Sequence, residues 1–511
     1  MNNDLDQNFV IGIDLGTSSC KTAILSIEGN LLGLGTAVYQ AEDIHSKWEE
    51  QNPKDLIDGV VVSLRKALEA AYVSPEDCLG LSLGGALHSL LVLDKYDRPL
   101  TGVSTWADGR AASQIKRLGK SGDMHLHYMH SGCPNHPMYP MAKIFWLREE
   151  HPDLFKEAAW FISAKEYVLL QLSGLHIVDY ALAAGSGLLD TRLLTWEEIA
   201  LETTGIQSSQ LSVLKNPNTI IGNLEPAFAA KLGLPRTTPI ILGGSDAVNS
   251  SLGVGAIRPD QLTCMVGSSG AIRTIANQPI LDPQERTWCY VVDPSHWLVG
   301  GAINNGGLAL QWWQYALGEG SQSEPGKGSP SLDDLLGWAS QIEPGANGII
   351  CLPFFVNERS PNWNPYARAV FFGLTLQHDR RHIARAILEG IGYRLRSVLD
   401  VLDQLVGKVD EIRASGGYVH SPLWLQITAD ILDRRVIVPQ FTESSAIGAA
   451  FWALIGLGVV DGIEDLAKYI KVSATYQPNQ QNVGTYHRTY ETYQELYQLL
   501  RGMYEKTAIR V

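Results

Sequence analysis

Two stretches of the chain share one pattern of apolar and polar positions. Phe9 to Ile13 is an apolar run ending in Asp14; Gly16, Thr17, Ser18 and Ser19 follow as a polar turn, and a second apolar run continues to Leu25. Apolar runs flanking a short Gly-hydroxyl turn predict a tight β-hairpin. Residues 262–275 repeat the pattern, with Gly267, Ser268, Ser269 and Gly270 in the place of Gly16 to Ser19. The copies lie half a chain apart, which predicts two related domains. Leu56, Ile57, Val60, Leu64, Ala67 and Leu68 recur on one face of a helix opened by Pro53. Leu79 to Leu83 reads as a buried strand ending in Gly84-Gly85, and Pro239 to Leu242 as another ending in Gly-Gly-Ser245-Asp246. Near the C-terminus Tyr486, Tyr490, Tyr493, Tyr497, Leu500 and Tyr504 form a helical stripe. That stripe predicts packing onto the body, with a homodimer seam as the alternative.

Composition narrows the class. A chain of 511 residues exceeds what one core usually holds, and an apolar fraction of 45% with 49 glycines suits a globular α/β protein. A net charge of −14 argues against a nucleic-acid surface. Six scattered cysteines without a Cys-x-x-Cys pair point to free thiols in a reducing compartment. The polar start lacks signal-peptide order, and the longest uncharged apolar run, Ala446 to Val460, is too short to span a bilayer. The expectation is a cytoplasmic protein without membrane or nucleic-acid partners. Its predicted divisions are a disordered tail (1–8), a first domain (9–254), a second (255–464) and an extension ending in an amphipathic helix (465–511). Gly318 to Ser331 is Gly/Ser/Pro-rich and reads as a mobile insert.

Several residues carry chemistry. Gly16 admits close backbone approach, and the hydroxyls and N–H groups beside it suit an anion. Asp14, ending its strand, is placed for the hydrated Mg²⁺ such an anion brings. A Walker-type loop is excluded: Gly320 to Gly328 has the wrong spacing, and Gly follows Lys327. His88, Trp106, Asp108 and Arg110 lie at strand ends and offer the aromatic wall and directional groups of a polyol pocket. His130, Cys133 and His136 invite a metal reading, but Pro134 and Pro137 break the ligand face, so this segment is read as lining a cleft. Asp246 is either a helix N-cap or a carboxylate aimed into a crevice.

The segment Met138-Tyr-Pro140-Met-Ala-Lys143-Ile-Phe-Trp146-Leu147-Arg-Glu149-Glu150 resembles the first signature pattern of the FGGY carbohydrate kinases. Ala369-Val-Phe-Phe-Gly373-Leu374, with His382-Ile-Ala-Arg-Ala386-Ile-Leu-Glu389 after it, resembles the second. The resemblance spans about residues 9 to 460. It implies an α/β fold of two actin-like (ribonuclease H-like) domains with a catalytic cleft between them, working on ATP, Mg²⁺ and a small sugar or sugar acid. By the same resemblance Asp246 is the general base and Asp14 places the metal. Gly16, Thr17, Ser18, Ser19, Gly267, Ser268 and Ser269 hold phosphates, and Lys21 offsets charge on the transferring group. Gly307, Gln311, Gly416, Gly417 and Ser421 belong to the nucleotide site. The His88, Trp106 and 131–138 segments look most like the gluconokinase branch; xylulokinases share several of them, and a non-sugar actin-like ATPase is the rival class. A sugar acid needs partners for its carboxylate, for which Arg110, His88, His136 and the backbone around Gly132 are the candidates.

Overall fold

A computed structural model describes residues 8–39, 50–119, 123–317 and 329–507. All but the last residue of the expected tail (1–8), and residues 318–328 of the expected insert (318–331), lie outside the described residues. The chain forms two compact units that are not contiguous in sequence. The first takes the chain up to Ile257 together with Ile275–Leu298 and Glu443–Ile470; the second takes Arg258–Thr274, Val299–Thr442 and the chain from Lys471. The linear division at 254 and 464 therefore does not follow the packing: two later segments close on the first unit.

In the first unit a six-stranded sheet runs 220–223, 239–241, 78–85, 9–15, 19–26, 31–38. Phe9–Leu15 and Ser19–Ser26 form the expected antiparallel hairpin, with Asp14 opposite Lys21. Cys78–Gly85 lies parallel to Phe9–Leu15, and Pro239–Ile241 parallel to Cys78–Gly85. Three strands thus end on one edge of the sheet, delivering Asp14, Gly84-Gly85 and the 243–246 segment to the same place. The expected helix spans Pro53–Ala71, capped by the Asn52 side chain on Lys54 N at 3.0 Å, and buries Leu56, Val60, Leu64 and Ala67. It presses on the sheet where Gly33 and Gly35 leave no room for a Cβ.

Ser444–Gly456 is a helix buried along nearly its whole length. It reaches the sheet at Gly12, where an added Cβ would lie 2.0 Å from Ala446 O. It crosses the helix Asp246–Gly253 through two more glycines, Gly448 and Gly253, each of whose Cβ atoms would meet a backbone oxygen at 1.9 Å. Backbone-to-backbone contact of this kind needs glycine.

The second unit repeats the topology. Its sheet has seven strands in the order 472–476, 435–439, 411–415, 261–266, 270–276, 296–303, 288–293, and the first six follow the first unit's order position for position. Glu411–Ser415 lies parallel to Gln261–Val266 as 78–85 does to 9–15, and it too ends in Gly-Gly. The two turns differ by one residue, however. Leu15 pairs with Cys20 across four turn residues, whereas Val266 pairs with Gly270 across three. Gly270 therefore takes the register place of Cys20, and does not stand where Ser19 does. The terminal helix Gln480–Thr507 buries all five tyrosines of its stripe. Tyr486 bonds Arg385 and Glu389, Tyr490 bonds Asp400 at 2.6 Å, and Tyr497 bonds Glu358 at 2.6 Å. The stripe is spent within this unit and supplies no dimer seam.

Candidate active site

The first unit gathers acids at the common strand edge. Asp14 has a buried carboxylate oxygen, Oδ1, without a hydrogen-bond partner. Burial first, then the charge of Asp246, pushes its carboxyl up to about 7; Lys21 opposes this and Glu443 adds to it. Lys21, opposite Asp14 in register, holds Glu443 at 2.6 Å. An orphaned buried oxygen among like charges is what a cation would satisfy. Among the described residues no three His, Cys, Asp or Glu side chains are arranged to ligate a metal together. The residues present thus fit Mg²⁺ held by one carboxylate and its own waters, the usual manner for that ion beside phosphates.

Asp246 is not the helix cap. Ser245 caps Asp246–Gly253, its Oγ accepting from Val248 N at 3.4 Å, and Asp246 occupies the first helical position. Its Oδ1 accepts from Leu87 N at 3.3 Å and Ala247 N at 2.7 Å, so the base candidate touches the segment that carries His88. The segment before it rests on a buried set. Lys165 Nζ donates to Gly244 O at 3.1 Å and pairs with Asp179 at 2.6 Å, both side chains fully buried. Asn249 donates to the same carbonyl and accepts from Trp452 Nε1 at 2.9 Å. Burial lowers the Lys165 pKa and raises that of Asp179, each opposed by the other's charge.

His88 has a left-handed backbone (φ 70°), its Nδ1 bonds Gly185 O at 2.7 Å, and its ring meets Tyr139 and Tyr290 edge-on. Trp106 is exposed. Arg110 is already engaged: its Nε lies 2.9 and 2.8 Å from the two Asp108 oxygens, a terminal nitrogen lies 2.8 Å from Glu50, and the guanidinium stacks on Trp146. A substrate carboxylate at Arg110 would compete with two resident ones. The Gly132 backbone is likewise used, donating to Tyr128 O at 2.8 Å and accepting from Cys289 N at 2.9 Å. His136 is engaged as well, its Nδ1 accepting from Met138 N at 3.2 Å, so each of the four sequence candidates for a sugar-acid carboxylate already has partners within the chain. In the expected cleft-lining segment His130 pairs with Glu197, and His127 is buried against Gly187 O.

Sequence reading missed Glu50 and Gln51. The first holds Arg110 and Gly102 N; the second donates its amide to Thr17 O, in the phosphate turn. Two adjacent residues of one short strand thus reach the sugar-side segment and the phosphate hairpin.

In the second unit the 267–269 turn is tied to the helix Gly307–Leu317. Gly306 N donates to Ser268 O at 2.9 Å and Gly307 N to Gly267 O at 2.7 Å. Gly307 shapes the loop with its amide, while the Ser268 side is exposed. Gly416, in a left-handed conformation (φ 89°), sits against Val266 O at the root of the same turn, and Gly417 faces open space. Gln311 is exposed one helical turn after Gly307. Ser421 caps the helix Pro422–Leu432 through Trp424 N at 3.3 Å, a local role that the sequence reading did not assign.

The chain matches the N-terminal domain of the FGGY family of carbohydrate kinases over residues 9–253 and its C-terminal domain over 262–457. It is 34% identical over 507 residues to a gluconokinase of Bacillus licheniformis, covering 98% of both chains. A gluconate kinase structure from Lactobacillus acidophilus superposes with a TM-score of 0.91 at 31% identity, covering 98% of this chain and 100% of that one. A ligand-bound xylulose kinase structure from Lactobacillus acidophilus matches with the same score, identity and coverage. Among the described residues no helix is long and apolar enough to cross a membrane. With two related units, each built on a hairpin and a parallel strand ending in Gly-Gly, and with family matches over most of its length, this chain belongs to the FGGY family of carbohydrate kinases.

Proposed function

We propose that the protein transfers the γ-phosphoryl group of Mg·ATP to the terminal hydroxyl of D-gluconate, giving 6-phosphogluconate and ADP. The observation that carries the choice of substrate is the 34% identity to a gluconokinase along almost the whole of both chains. Xylulose is the second reading, since the ligand-bound xylulose kinase structure superposes equally well.

Asp246 accepts the proton of the attacking hydroxyl while that oxygen bonds to phosphorus and the bond to the ADP oxygen breaks. Its carboxylate is oriented for this by Leu87 N and Ala247 N. Thr17, Ser18, Ser268 and Ser269 hold phosphates with hydroxyl and N–H groups, and Gly416-Gly417 leaves backbone open to a flat base. Asp14 would hold Mg²⁺, which when bound would neutralise phosphate charge. Lys21 offsets charge on the transferring group only by sharing its ammonium with Glu443. Phosphoryl transfer asks mainly for alignment and charge stabilisation, which this set provides.

The test is ADP release across gluconate, xylulose, ribulose and glycerol, with product analysis. Gluconate should give the highest kcat/KM, and Asp246→Asn should lower turnover at least ~10²-fold, the scale of general-base loss. A clear preference for xylulose overturns the gluconate reading, and an Asp246→Asn enzyme of near wild-type turnover overturns the assignment of the base.

A further inference from the structure

Lys143 lies in the helix Pro140–Glu150 and is only 2% exposed. Its Nζ donates to His88 O at 2.7 Å and to Thr105 O at 2.6 Å. These carbonyls belong to two separate segments, one carrying His88 and the other Trp106, Asp108 and Arg110. Thr105 O also accepts from Asp108 N at 3.2 Å, so the lysine grips the base of the turn that sets Asp108. Through its other hydrogen bond the same Nζ grips His88, held at φ 70°, a conformation that costs energy for any side chain and persists only where neighbours enforce it.

A buried ammonium is an expensive way to fill space. Burial lowers the pKa of Lys143 to about 7, Asp108 and Glu50 oppose the shift, and Arg110 adds to it. A well-packed apolar side chain would avoid that penalty, so packing alone does not account for a lysine here. What it supplies is a pair of strong donors from a single atom, enough to fix two loops relative to each other.

We propose that Lys143 is a positioning residue of the sugar site, clamping the His88 and Trp106–Arg110 segments in one register so that the substrate meets them preformed. The proposal rests on these segments forming the sugar site. It goes beyond that reading by giving specificity a determinant that does not itself touch the sugar.

Lys143→Met keeps the length and burial of the side chain and removes both donors. Lys143→Gln keeps an amide with two N–H groups on a shorter reach. Steady-state kinetics on the best sugar of the panel should show a KM for sugar raised about tenfold or more in Lys143→Met, as expected for two lost buried hydrogen bonds, with the KM for ATP within about twofold of wild type. Lys143→Gln should recover part of the loss. An unchanged KM for sugar in Lys143→Met overturns the proposal. So does an equal rise for sugar and ATP, which is the mark of general destabilisation. Should Lys143→Met fail to fold, Lys143→Gln is measured alone against the same criterion, and failure of both to fold reduces the lysine to a structural tie and also overturns the proposal. A wild-type enzyme that phosphorylates no sugar removes the sugar-site reading instead, a result distinct from all of these.

Discussion

The base candidate is held in place through a glycine contact, and Gly448→Ala tests how tightly. Gly448 lies inside the helix Ser444–Gly456, where an added Cβ would fall 1.9 Å from Asn249 O. That is short of the closest tolerable approach by about 1 Å or more, so the crossing helices must part. Parting is resisted at two other points, because the same helix presses on Gly12 through Ala446 O and Ala450 N and on Gly253 through Ser444 O. Two effects oppose each other. Alanine in a helix interior gains about 1 kcal/mol over glycine. Overpacking of a rigid contact costs typically about 1–3 kcal/mol, and an obstacle made of backbone belongs at the upper end. The net expectation is a loss of about 1–2 kcal/mol, or a Tm lower by several degrees, at about 2–4 °C per kcal/mol for a unit of this size. Function should suffer more than stability. Asn249 is three residues beyond Asp246 in the same helix, and it bonds the Gly244 carbonyl of the 243–246 segment. A displacement of about 1 Å at a reacting group can cost on the order of 10²-fold in rate. The assays are a thermal melt and ADP release at saturating sugar and ATP. A variant with a raised Tm and unchanged kcat would show that propensity outweighs the clash and that the crossing does not position the base.

Two further substitutions probe buried and half-buried charge. Lys165→Met leaves Asp179 buried without its cation and should destabilise the protein by about 3–5 kcal/mol, whereas the double change Lys165→Met/Asp179→Leu should recover much of that; equal melts for the two variants would refute the pairing. His296 bonds Asp293 at 2.9 Å and Glu464 at 3.0 Å, and these partners, the Asp293 hydrogen bond foremost, raise its pKa above 6.5. Its contribution to stability is therefore full below the unfolded-state value of 6.5 and is lost as pH rises through the higher folded-state value. The Tm gap between wild type and His296→Gln should accordingly be wider at pH 6 than at pH 9, and a gap that does not change with pH would refute the charged pairing.

What the sequence disclosed and what it withheld divide along sequence distance. The hairpins at 14–19 and 267–270 were legible because alternation and Gly-hydroxyl turns are local signals, as were the helix from Pro53 and the tyrosine stripe. The one-residue difference between the two turns was not, because it depends on which residues pair across the strands. That Asp246 is not the helix cap was already legible in the sequence. Ser245 is an equally good cap one position before, and a helix takes only one N-cap. Arg110 shows the opposite case. In sequence it stands as a cation with Asp108 two positions away, while the second acid that engages it, Glu50, comes from 60 residues earlier.

The acid cluster carries this furthest. Asp14 and Lys21 face each other in a hairpin that any reader of the sequence would draw, and as an isolated pair they would leave Asp14 an ordinary carboxylate. Asp246 then arrives from the end of a third strand, and Glu443 from 422 positions beyond Lys21, where it binds the ammonium at 2.6 Å. Three carboxylates around one lysine leave the edge of the sheet short of positive charge. That deficit, with the orphaned Oδ1 of Asp14, makes the site receptive to a hydrated divalent cation. A pattern of types and spacings identifies the groups able to bind phosphate or accept a proton. Which of their charges are already balanced is decided by segments that return to the unit hundreds of residues later, and for that reason the electrostatics of the site could be read only from the fold.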